Sequence, residues 1–198
     1  NPLYEDNEVA LFKTHYYGGI KKYQWVSMPL SLHGVVFLAD GTKKEVCIGE
    51  DENDPVLYIT DLLPHLAQDQ MKRTAPELIK GEELNLLIGS MPVTDETEAK
   101  CLVKEQILQI LNEKYGITEK EFRSAELSAV PAMKAKDVGL DRSMIGAYGH
   151  DDRVCSYTAL KAILELEHPT HTALCVLADK EEIGSCGNTG LESSFMAY

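Results

Sequence analysis

The sequence predicts the α/β class, with a β-rich insertion near residues 30–131 set between two pieces of an α/β domain. Three observations carry this. From Leu30 to Pro131 short apolar runs alternate with Gly, Asp and Asn turn signals, as strands of an antiparallel sheet do. After Pro131 the order becomes loop, helix-spaced segment, continuous apolar run and loop, which is the α/β manner. The 198 residues, 44% hydrophobic and 26% charged, are enough for one sizeable core or two small ones.

Each element follows from its local pattern. The opening stretch, Asn1 to Met28, starts on Asn-Pro without a methionine and reads as the inside of something longer. "LHGVVFLADGTKKEVCIGE" is two strands about the turn Asp40-Gly41. "PVLYIT" and "ELNLLIG" are further strands, and "GVVFLA" beside "PVLYIT" is expected to present exposed strand edges. From about Thr94 to Tyr115, Ala99, Leu102, Val103, Ile107, Ile110 and Leu111 share one helical face, and Gly116 stands where a helix ends. Thr118 and Glu121 have capping-box spacing for a short helix, and "AELSAV" resumes as strand. Beyond a loop-rich passage, Val154, Tyr157, Leu160, Ala162, Ile163 and Leu164 have helical spacing. "TALCVLAD" is expected to be a fully buried parallel strand.

Charge and cysteine content narrow the setting. With 19 Lys and Arg against 32 Asp and Glu, the net charge of −13 argues against nucleic acid and anionic membranes as partners. No apolar run approaches the roughly 20 residues of a membrane span. Five cysteines, Cys47, Cys101, Cys155, Cys175 and Cys186, form no CxxC pair, which points to thiols in a reducing, cytoplasmic compartment.

The chemistry concentrates in two acidic pairs. Asp151-Asp152 precedes the second helix, and Glu181-Glu182 follows the "TALCVLA" run, where α/β sheets carry their working residues. Adjacent carboxylates repel, so a divalent cation and a proton-accepting role would explain both pairs. The alternative is a solvated turn at Glu181-Glu182 and a helix cap at Asp151-Asp152. His150 faces the same choice between ligand and loop hydrogen bond. His15, His33, His168 and His171 read as surface or interior histidines.

In order and spacing, "NPLYEDNEVALFKTHYYGGIKKYQW", "SAELSAVPA", "IGAYGHDDRVCSYTAL" and "DKEEIGSCGNTG" resemble the aspartyl aminopeptidase and vacuolar aminopeptidase I family of dinuclear zinc metallopeptidases. The likeness covers essentially the whole chain. It implies a zinc-peptidase α/β domain, a mixed sheet with flanking helices, in residues 1–29 and 132–198, and an inserted dimerisation domain in 30–131. It implies hydrolysis of the N-terminal residue, acidic or neutral, from peptides with a free N-terminus. Two divalent metal ions would serve, zinc first and cobalt or manganese as alternatives. By resemblance Asp151 bridges the metals, Glu182 is a ligand and Glu181 the general base. Asp152 follows the bridging aspartate through a peptide that is commonly cis in this clan. The resemblance also implies dimers assembling into a tetrahedral dodecamer.

The departures bear on function. A His of the His-x-Asp-Ser-Pro type is expected upstream of Asn1, and an Asp and a His downstream of Tyr198, so the chain looks like the central portion of an aminopeptidase and is expected to be inactive alone. In "PHLAQDQ" His65 is kept, but Asp69 stands where the family has a second histidine that reaches the partner's site. His65 is either structural or a contributor. The rival readings are a catalytically silent oligomerisation module, or a related dinuclear-metal peptidase or deacylase on the same fold.

Overall fold

Asn7 and Glu8, with φ of 48° and 64°, reverse the chain in two residues, so that Leu3–Asp6 (β1) pairs antiparallel with Val9–Phe12 (β2). This is the tight, left-handed kind of hairpin turn that suits the twist of the strands. The computed structural model describes residues 2–94, 99–187 and 189–194. They fall into two compact units, Asn1–Tyr16 with Lys21–Met133, and Tyr17–Ile20 with Lys134–Tyr198.

In the first unit Leu30–Phe37 (β3) and Lys43–Ile48 (β4) form the hairpin expected about Asp40-Gly41, and Asp40 Oδ1 accepts the Thr42 N–H at 2.8 Å. Tyr58–Ile59 (β5) and Leu86–Gly89 (β6) complete a sheet of order β1-β2-β6-β5. Ala125–Pro131 (β7) completes a second sheet of order β4-β3-β7. Every pairing in both is antiparallel. The edge expectation needs correcting: "GVVFLA" lies largely in β3, the central strand with a neighbour on each side, and the edges are β4 and β7. Of the two expected edges only β5, from "PVLYIT", is realised, at one end of the β1-β2-β6-β5 sheet. Two backbone bonds between Leu30 and Leu57, at 2.8 and 2.9 Å, join the sheets.

The long helix, α1, runs Leu102–Tyr115. Val103 and Leu111 are buried, Ile107 packs at Gly89, and Ile110 is half exposed. Its expected start near Thr94 is not realised: Val93 is buried and donates its N–H to Leu102 O, and residues 95–98 lie outside the described residues. Gly116 ends the helix at φ 70°, a left-handed conformation cheap only for glycine. Thr118 then gives its hydroxyl and its N–H to the Glu121 carboxylate ahead of a single 3-10 turn, Glu121–Ser124. That turn brings Phe122 edge-on to Phe12, ring centroids 5.5 Å apart.

Among the described residues the buried apolar ones all belong to this unit, including Leu3, Leu30, Leu32, Val36, Leu86 and Ile117. Fully burying such a side chain contributes about 1.5–3 kcal/mol.

The second unit contains Lys136–Val138 (β8) paired with Met144–Gly146 (β9), and the helix His150–Leu164 (α2). Here a second expectation is overturned. "TALCVLAD" forms no strand, and Leu174, Val176 and Leu177 are 81, 50 and 55% exposed. A buried parallel strand needs neighbours to take its N–H and C=O groups, and no described strand lies beside this run. On α2 Val154, Tyr157, Leu160 and Leu164 are likewise exposed. Among the described residues no helix is long and apolar enough to cross a membrane.

Candidate active site

The span of α2 conceals a break at its start. Asp151 (φ −85°, ψ 112°) and Asp152 (φ −115°, ψ 21°) are not helical, and the peptide between them is cis, as the resemblance implies. Both carboxylates are exposed and make no hydrogen bond or ion pair with another described residue. The cap reading is therefore not realised. His150 Nε2 lies 3.0 Å from the Ile145 carbonyl oxygen. A carbonyl only accepts, so Nε2 carries the hydrogen and fastens the start of α2 to β9.

The second acidic pair occupies one 3-10 turn, Glu181–Ile183, entered through Lys180 at φ 63° and left through Gly184 at φ 86°. Glu181 and Glu182 are exposed and equally without a described side-chain partner. Their backbone is well held. Lys180 O accepts the N–H groups of Ile183 and Ser185, at 3.3 and 2.8 Å, and Glu181 O accepts that of Gly184 at 3.0 Å. The return limb closes on the turn in two places: Thr189 Oγ1 donates to Asp179 Oδ2 at 2.8 Å, and Glu192 N to Ser185 O at 3.2 Å. Gly190 is buried so tightly that a Cβ there would fall 1.9 Å from Ser185 O.

Asp151 and Glu182 offer the carboxylate oxygens that zinc, cobalt and manganese accept, so the donor chemistry fits a divalent metal. Their number does not complete a site: among the described residues no group of three or more His, Cys, Asp and Glu could hold an ion.

His65 lies apart from these residues in sequence, on an exposed loop of the first unit. Asp61 Oδ1 takes the Leu62 N–H at 2.8 Å and the Gln70 side-chain amide at 2.9 Å, while buried Ala67 pins the middle. Asp69 pairs with Lys72 at 2.9 Å and is almost fully exposed. His33 Nε2 contacts Ser31 Oγ and Glu50 Oε1 at 3.0 and 3.1 Å, and His15 stacks on Tyr16, both structural environments. Sequence reasoning missed Asp179 and Thr189; the available signal was an Asp and a Thr bracketing the glutamates in a Gly- and Ser-rich loop.

Comparison with known proteins matches residues 1–198 to the family described as aminopeptidase I zinc metalloprotease (M18). A Clostridium acetobutylicum protein named "Probable M18 family aminopeptidase 1" is 55% identical over 195 residues, 98% of this chain and 42% of its own length. A Thermotoga maritima protein of the same name is 54% identical with the same coverage. The crystal structure of aminopeptidase I from C. acetobutylicum superposes with a TM-score of 0.91 at 52% identity, over all of this chain and 43% of its own. At 19% identity and TM-score 0.60, covering 99% of this chain and 43% of its own, the S. cerevesiae mApe1 dodecamer shares the fold. The chain thus spans about two-fifths of the length of the curated relatives it matches.

Proposed function

This chain belongs to the aminopeptidase I zinc metalloprotease (M18) family, and from that premise we propose that the protein carrying it is a metal-dependent aminopeptidase. It removes the N-terminal residue, acidic or neutral, from peptides with a free N-terminus. The observation that carries the reading is the match over the whole chain, with both acidic pairs exposed and without described ionic partners.

Asp151 would bridge two divalent ions, with zinc the first choice, and Glu182 would bind one of them; residues outside this chain complete the set. Such ions, when bound, polarise the scissile carbonyl and make water more acidic. Glu181 takes a proton from the attacking water as the new C–O bond forms. It returns that proton to the amide nitrogen as the C–N bond breaks, so the leaving amine departs neutral. Asp152 continues the chain from Asp151 into α2, and His150 holds that entry in place through Ile145. His65, on its anchored loop, would be either a structural histidine or a supporting contributor.

The domain reading extends this. Residues 1–29 and 132–198 would belong to the catalytic domain and 30–131 to an inserted dimerisation domain. The fold relative described as a dodecamer suggests a homo-oligomer; dimers assembling with tetrahedral symmetry are the arrangement the family resemblance implies. Five unpaired thiols suit a cytoplasmic setting.

The test uses the full-length protein. Metal analysis should find two ions per subunit, light scattering a species far larger than a dimer, and leucyl or aspartyl substrates should be hydrolysed in a chelator-sensitive way. A metal-free protein with no turnover would leave an assembly module as the answer.

A further inference from the structure

We propose that Asp179 and Thr189 form a latch that fixes the backbone carrying Glu181 and Glu182, which makes Asp179 a positioning residue and not a metal ligand. The inference rests on the aminopeptidase reading of the glutamate pair. Lys180, between Asp179 and Glu181, holds a left-handed conformation at φ 63° that costs a non-glycine residue about 1–2 kcal/mol. Such a conformation persists only where its surroundings over-determine it. On the C-terminal side that is done by Lys180 O, which accepts two N–H groups. On the N-terminal side the neighbouring side chain is Asp179, whose Oδ2 takes the Thr189 hydroxyl at 2.8 Å from the return limb ten residues on.

A hydroxyl given to a carboxylate is one of the stronger hydrogen bonds, and its partners are the entry and the exit of one loop. Each glutamate side chain has three rotatable bonds, so the backbone it springs from is what the fold can set in advance. With the latch closed, the turn Glu181–Ile183 has both its ends restrained; with it open, the restraint on the N-terminal side is lost and the backbone carrying both carboxylates can shift. Misplacing a catalytic group by about 1 Å costs up to ~100-fold in rate.

The experiment compares Thr189→Val, Thr189→Ser, Asp179→Ala and the Ala/Val double variant in the full-length protein. Thr189→Val and Asp179→Ala should each lower kcat about 10- to 100-fold with KM and metal content unchanged, and Thr189→Ser should restore it. The double variant should be no slower than the slower single, because both remove one bond. Amide exchange at Ile183, Gly184 and Ser185 should speed about fivefold in both single variants, as losing one hydrogen bond does. Additive kcat losses, or unchanged exchange in Thr189→Val, would overturn the latch. Metal lost from Asp179→Ala alone would make Asp179 a ligand. A wild-type protein without peptidase activity would sink the aminopeptidase reading and the latch's catalytic purpose, whereas unchanged exchange in an active enzyme sinks the latch alone.

Discussion

The Glu5 carboxylate accepts the backbone N–H of Lys104 at 2.9 Å, so β1 caps the start of α1 from 99 residues away. Cys101, at the N-cap position, makes no side-chain cap bond. The first turn of a helix has unsatisfied N–H groups that favour a negative charge, and Glu5 supplies it. Glu5→Ala should cost about 1 kcal/mol, lowering the thermal midpoint by ~2–4 °C, and Glu5→Gln, which keeps an acceptor, less. An unchanged midpoint by circular dichroism would show that packing alone holds the helix start.

What the sequence made legible was local. Asp40-Gly41, Gly116, Thr118 with Glu121, and the two helical stripes all act within a few residues, and the structure has the hairpin, the helix end and both helices. Thr118 and Glu121 are bonded to each other, but the 3-10 turn Glu121–Ser124 has Lys120 at its N-cap position, without a side-chain cap. The turn at Asn7-Glu8 lacked the Asn-Gly signature because Glu8 takes the second left-handed position. Pairing of β2 with β6, and of Glu5 with Lys104, joins distant segments and leaves no periodic trace. "TALCVLAD" was misjudged for a related reason: an apolar run says that burial is favourable, not which strands provide it. At the site, residue types identified the acidic pairs, whereas the loop closure by Thr189 and Gly190 depended on backbone path.

Gly190 offers a steric test of that loop. A Cβ 1.9 Å from Ser185 O is far inside van der Waals contact, so Gly190→Ala must push the return limb away from the turn. The local strain is about 1–3 kcal/mol. Peptidase turnover should fall while Trp25 emission, which reports on the first unit, stays unchanged. Full turnover in Gly190→Ala would mean the limb can retreat without moving Glu181.

Acid stability should carry the mark of Glu121. The hydroxyl and then the N–H of Thr118 hold its carboxyl below the ordinary value of 4.5. A carboxylate with a lowered folded pKa contributes stability that is fully present above its unfolded pKa and lost as pH falls through the folded one. Wild type should therefore lose stability relative to Thr118→Val as pH drops below about 4.5, the gap between them closing. Urea unfolding from pH 7 to pH 3 measures this; a gap independent of pH would remove Glu121 from the account.

A separately produced 1–198 fragment should bind zinc weakly and hydrolyse no aminoacyl substrate, since no three-donor group exists among its described residues. Structural zinc sites require about four donors. Isothermal titration with zinc and a leucyl or aspartyl chromogenic substrate give the answer. Tight, stoichiometric binding would show that ligands have been overlooked within the chain.

The adjacent glutamates should separate cleanly by substitution in the full-length protein. Glu181 and Glu182 share one 3-10 turn, where successive side chains leave the backbone in directions roughly a third of a turn apart. One can therefore meet a cation while its neighbour meets water and substrate. Glu181→Gln keeps the shape and hydrogen-bonding oxygen but cannot take a proton, so kcat should fall about 10²–10⁴-fold with metal content intact. Glu182→Gln removes a charged donor, so metal affinity should fall first, and added zinc should recover part of the activity. Mass spectrometry of bound metal beside steady-state kinetics distinguishes the two. If Glu181→Gln were the variant that loses metal, and Glu182→Gln the one that keeps it without turnover, the roles would have to be exchanged, because the turn presents both carboxylates from equally exposed positions.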